Sequence, residues 1–130
     1  MTTSDFAHVR VRNRGTRVLV QVFAQKLDRN QVESRTWIEI PGKDPEKRVE
    51  EWHNLSLPDV MGNVVEDWAD VLLSAGGLVA INGHPVEFWE SQQGVHAWAG
   101  LRGTRGLPTA AQALGELVRN IVRGELVEVE

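Results

Sequence analysis

The sequence predicts an α+β domain: a mostly antiparallel sheet built from hairpins, with two amphipathic helices, at about 57–75 and 109–123, packed on one face. Three observations carry this. Two valine-rich runs alternate with period two around a glycine turn. A helical stripe then runs from Val60 to Ala75, and a second from Ala110 to Val122, with further strand patterns between them. A chain of 130 residues with no linker or low-complexity tract reads as one domain, residues 1–130.

The first strand is Phe6 to Arg12, with Ala7, Val9 and Val11 on one face and His8, Arg10 and Arg12 on the other. Asn13-Arg14-Gly15-Thr16 is a turn, and Arg17 to Gln25 alternates again. Two such runs around a glycine loop read as a hairpin. Lys26 to Ser34 is polar and reads as a loop, followed by a third strand over Arg35–Ile40, closed by Pro41-Gly42. Residues 44–55 fit two patterns. Asp44-Pro45-Glu46 suits a helix start, while the alternation of Val49, Glu51, His53 and Leu55 favours a strand pairing back on Trp37–Ile40.

Ser56 and Asp59 form a capping box for the first helix. Val60, Met61, Val64, Val65, Trp68, Val71, Leu72 and Ala75 make its apolar stripe, and Gly76-Gly77 ends it. Asn82-Gly83 between Leu78–Ile81 and His84–Trp89 marks a second hairpin. Gly94–Ala99 is another strand, and Gly100–Gly106 a basic loop. Thr109 and Gln112 cap the last helix, and 126–129 alternates as a short terminal strand. The expected core joins the helices to the sheet through Trp68, Leu72, Leu114, Leu117 and Ile121.

Composition excludes several chemistries. With no cysteine there is no disulfide, thiolate metal site or cysteine nucleophile. No apolar run approaches a membrane span, so no membrane partner is expected. The N-terminus lacks a basic segment followed by an apolar one, so the reading is cytoplasmic or assembly-associated rather than Sec-exported. The net charge of −4 hides a gradient: residues 1–27 carry +4, residues 28–70 carry −6 and residues 71–130 carry −2. A dedicated duplex-binding domain would be basic throughout.

Val9-Arg10-Val11-Arg12-Asn13-Arg14-Gly15-Thr16, followed by a second valine-rich strand, resembles bacterial immunoglobulin-like β-sandwich modules of the cell-adhesion-related, CARDB-like kind. Ile40-Pro41-Gly42-Lys43 looks like the Pro-Gly turn of such modules. The resemblance spans residues 7–57 and implies a non-catalytic scaffold. After Leu57 the chain departs from that pattern, with a helix in place of further strands.

The string Arg-Gly-Thr-Arg occurs at 14–17 and again at 102–105, each copy six residues after a histidine. Basic glycine turns expose backbone N–H groups and guanidinium forks to phosphate. Neither copy has the spacing of a nucleotide-binding loop. His84 and Glu87 lack the spacing to share a strand face, and Glu50 and His53 share a face only if their segment is helical, so no metal site is expected. The serines lack a nucleophile-elbow context, and no catalytic residues or cofactor are assigned.

The function expected is therefore a non-catalytic interaction or structural subunit that binds another protein, or copies of itself. Its binding surface is assigned to the N-terminal hairpin. Phe23 is the apolar anchor, Arg10 and Arg12 form the polar rim, and Leu19 is less covered than the core. The alternative is nucleic-acid or phosphate binding through Arg14, Arg17, Arg102 and Arg105. A third reading, a small hydrolase or metal enzyme, requires convergent histidine and glutamate in a pocket.

Overall fold

The computed structural model describes residues 5–75 and 78–126. In chain order the elements are β1 (Phe6–Asn13), β2 (Leu19–Asp28), β3 (Gln31–Glu39), β4 (Glu46–His53), α1 (Leu57–Asp67), α2 (Ala69–Leu72), β5 (Val79–Ile81), β6 (His84–Pro85), β7 (Glu87–Ser91), β8 (Gly94–Ala99), β9 (Arg102–Gly103) and α3 (Ala110–Leu126). They form an α+β fold. A six-stranded antiparallel sheet has the order β4-β3-β2-β1-β5-β6, and a three-stranded sheet has the order β7-β8-β9.

Period-two alternation fixes which face is inside. Val9 and Val11 of β1, Val20 and Val22 of β2, and Val32 and Ile38 of β3 are all buried. Their cover is helical: α1 packs across β1, β2 and β3, while α3 packs on α1, β1 and the three-stranded sheet. Val60, Met61, Leu72, Leu114 and Leu117 supply the helical half of the core. Each large apolar side chain buried there contributes roughly 1.5–3 kcal/mol. Trp68 and Ile121 are only partly buried against it.

Several expected boundaries shift. The expected loop at 26–34 is mostly strand: β2 continues to Asp28, and β3 begins at Gln31 after a two-residue turn. This polar stretch is strand because Ser34 is buried in β3, where the Trp52 indole donates to its Oγ at 2.8 Å. Residues 46–53 form the strand β4, paired with β3. The first helix is interrupted. At Trp68 the backbone leaves helical geometry (φ −101°, ψ 6°), and the indole sits 4.7 Å beneath the Arg48 guanidinium instead of within the apolar stripe. The expected strand 84–89 breaks at Val86, whose N–H closes on Val79 O before the chain enters the second sheet. Within the expected loop 100–106, Arg102–Gly103 pair as β9. Leu126 ends α3, and the rest of the expected terminal strand, like the Gly76-Gly77 stop, lies outside the described residues.

The caps hold. Ser56 Oγ accepts from Asp59 N at 3.2 Å, and Thr109 Oγ1 accepts from Gln112 N at 3.1 Å. Asn82 and Gly83, with φ of 49° and 84°, build the tight β5–β6 turn.

Asn13 joins the two layers. It is fully buried, and its Nδ2 donates to Leu72 O at 2.8 Å and Ser74 O at 2.9 Å, carbonyls at the end of α2. Its Oδ1 accepts from Gly15 N and Thr16 N, both at 2.8 Å, and so shapes the β1–β2 turn. Asn13→Ala leaves the buried Leu72 carbonyl unpaired and takes the acceptor from the turn N–H groups, and is expected to cost about 3 kcal/mol. Urea denaturation, with the m-value unchanged, measures this.

Candidate functional site

The face of the six-stranded sheet opposite the helices carries a second set of side chains, aligned by register. One row across β1 to β4 is His8, Phe23, Arg35, Val49; the next is Arg10, Gln21, Trp37, Lys47; the third is Arg12, Leu19, Glu39. Neighbouring strands lie about 4.8 Å apart, so each row is a contiguous strip.

Apolar surface is left open here. Phe6 is 50% exposed, Trp37 39% and Val49 54%. Phe23 is half-buried, stacked on the His8 ring at 4.2 Å and tilted against Phe6 at 6.0 Å. Gln21 Nε2 donates to His8 Nε2 at 2.9 Å. The Trp37 indole N–H donates to Glu39 Oε2 at 2.8 Å, which lays the ring along its own strand. Gln21, Phe23, Arg35, Trp37 and Lys47 line a shallow depression of about 360 Å³.

Gln21 also borders a second, more polar cleft of about 510 Å³, at the turn end of the face. Arg10, Arg12, Arg14 and Arg17 line it, with Leu19 and Glu39. All four arginines are exposed, and none is ion-paired among the described residues. Elsewhere Arg35 pairs with Glu33, Arg48 with Glu46, and Arg119 with Asp59 and Glu66.

Thus the structure gathers Arg10, Arg12, Arg14 and Arg17 with Phe23 on one face. It does not bring Arg102 and Arg105 into that cluster. Arg102 belongs to the second sheet and lies against Gly124 of α3, and Arg105 is in the loop that leads to that helix. The two Arg-Gly-Thr-Arg strings differ in kind: the first is a hairpin turn, the second begins as strand β9. Leu19 is a correction. It is only 6% exposed, covered between Arg12 and Glu39, and is not part of the open apolar surface.

Trp37, Arg35, Lys47 and Val49 were not tied to this surface from sequence. The signal was there in the alternation of β3: once Ile38 faces the core, Trp37 must face the other way, beside Gln21 of β2. Missing the start of β3 at Gln31 hid the pairing that sets this row.

No family model, curated protein or solved structure matches the chain. The site is therefore read from its own geometry.

Among the described residues no group of three metal-ligating side chains converges. Glu50 and His53 stand on opposite faces of β4, and His84 and Glu87 lie in different sheets. On the β7–β8 hairpin, Ser91 Oγ lies 2.7 Å from His96 Nε2, and Trp89 stacks on the imidazole at 5.1 Å. His96 Nδ1 faces the Thr104 carbonyl at 3.3 Å instead of a carboxylate. This arrangement fixes the ring against the second sheet and lets the serine N-terminal to the turn accept from Gln93 N.

Adjacent residues of β3 therefore have opposite roles. Ile38→Ala is expected to cost roughly 2–5 kcal/mol as a core truncation. Trp37→Ala, on the open face, is expected to cost about 1 kcal/mol or less. Paired denaturation curves of the two variants measure the contrast.

Proposed function

We propose that this chain is a non-catalytic interaction protein that docks a partner protein on the open face of its six-stranded sheet. The observation that carries the reading is the set of exposed and half-buried apolar side chains Phe6, Phe23, Trp37 and Val49, on the face opposite the one that the helices cover over β1, β2 and β3. A sheet face closed only on one side, bearing aromatics with arginines around them, has the composition of an interface centre and its rim. Phe23 and Trp37 act as anchors, and Arg10 and Arg12 border them. Phe23 is pre-set by its stack on His8, and Trp37 by its bond to Glu39, so neither loses much freedom on binding.

A nucleic-acid strand laid along the whole face fits less well. Glu33, Glu39 and Glu51 stand on that face among the cations, and a phosphodiester track crossing it would pass all three. An apolar protein surface with scattered charges of both signs has no such conflict.

Affinity capture from the native host, followed by calorimetry with the recovered partner, tests this. Phe23→Ala and Trp37→Ala are each expected to weaken binding by roughly thirtyfold, the effect of losing an interface anchor. Trp89→Ala, on the second sheet, is expected to leave it unchanged. A partner held equally well by both open-face variants, or no specific partner together with a monomeric chain in light scattering, overturns the proposal.

A further inference from the structure

The turn end of the open face has properties that a protein rim does not require. Arg10, Arg12, Arg14 and Arg17 surround one cleft without a carboxylate bonded to any of them. Glu39, the acid among the lining residues, accepts from the Trp37 indole, and its single charge leaves the cleft with an excess of positive charge. Four like charges crowded on one hairpin repel one another, and a solvated surface gains nothing from that arrangement.

The backbone beneath them is held in a strained shape. Arg17 sits at φ 68°, the left-handed region that favours glycine. Gly15, two residues earlier, does not occupy that region. Its missing side chain instead admits Asn13, since a Cβ there would lie 3.3 Å from Asn13 Oδ1. The turn therefore places its glycine where close packing is needed and an arginine where glycine would be relaxed. The strain persists because Asn13 accepts from Gly15 N and Thr16 N, Arg17 N donates to Asn13 O at 2.8 Å, and Arg14 N donates to Leu78 O at 2.6 Å. Strain maintained by surrounding structure is a mark of positions held for binding.

We infer that Arg10, Arg12, Arg14 and Arg17 form a binding site for closely spaced phosphate groups, a di- or triphosphate, at the turn end of the sheet. Guanidinium forks match phosphate oxygens two at a time. A lone carboxylate would offset one of the four cations, whereas each terminal phosphate brings about 1.5–2 negative charges into a small volume. The cleft of about 510 Å³ accommodates such a group. This inference does not depend on the partner protein proposed above, which rests on Phe23 and Trp37.

Isothermal calorimetry of the full chain with sodium tripolyphosphate at low salt tests it. Saturable binding that weakens as salt is added is expected. Arg12→Glu is expected to lower the affinity about tenfold or more. Arg17→Gly is expected to lower the affinity while raising the melting temperature, because it removes both a guanidinium and the strain. Arg102→Glu combined with Arg105→Glu is expected to leave binding unchanged. Circular dichroism confirms folding of each variant, with Arg12→Gln as the replacement if Arg12→Glu does not fold. A nucleoside triphosphate distinguishes two sources of the phosphates. Equal affinity assigns the site to phosphates alone, and tighter binding lost in Trp37→Ala assigns it to a nucleotide whose base lies on Trp37. No saturable binding of pyrophosphate or tripolyphosphate overturns the inference. So does citrate binding as tightly, an Arg12 or Arg17 variant of undiminished affinity, or an equal loss in the Arg102/Arg105 variant.

Discussion

The buried amide of Asn13 is the point on which both layers depend. Its nitrogen caps the end of α2, and its oxygen organises the first hairpin turn. Without it, the buried Leu72 carbonyl would lack a partner and the turn N–H groups would lose their acceptor. By using all its hydrogen-bonding capacity at once, one side chain sets the position of the helices over β1 and the shape of the turn on the far face. The arginine cleft takes its geometry from this same residue, which lies along its wall.

The helices close over the sheet through a second device. Gly62 of α1 and Gly115 of α3 lie at their crossing, where a Cβ on Gly115 would stand 3.1 Å from Gly62 O. Arg119 fills the space left by Gly62, donating to Asn63 Oδ1 at 2.6 Å and pairing with Glu66 at 3.6 Å. The close approach brings Leu114 and Leu117 down to the valines of the sheet. With the helices over β1 to β3, Phe6 and Trp37 stay exposed on the other face of the sheet.

The elements whose pattern is both periodic and apolar were legible in the sequence: the first hairpin, the start of each long helix, and the Asn82-Gly83 turn. The α+β class followed from them. What stayed hidden was set by contacts distant along the chain. Ser34 looks like a loop residue until Trp52 and the core cover it. Trp68 looks like a core residue of a continuous helix until Arg48, twenty residues earlier, draws its ring out. The hairpin surface of Arg10, Arg12 and Phe23 was readable because strand parity alone separates His8 and Phe23 from the valines. Its extension to Trp37 and Lys47 required the register of β3 and β4, which no local pattern states.

The outer edge of the main sheet has a consequence for how this molecule associates. Along β4 the side chains from Glu46 to His53 include three glutamates, a lysine and an arginine, and all of the eight residues but the half-buried Trp52 are exposed. A strand from another molecule that tried to extend the sheet there would have to lie alongside this alternation of charge. Lateral growth into fibrils is disfavoured by the same segment that contributes Lys47 and Val49 to the open face. The charges thus protect the β4 edge by the side chains it carries and not by a covering element.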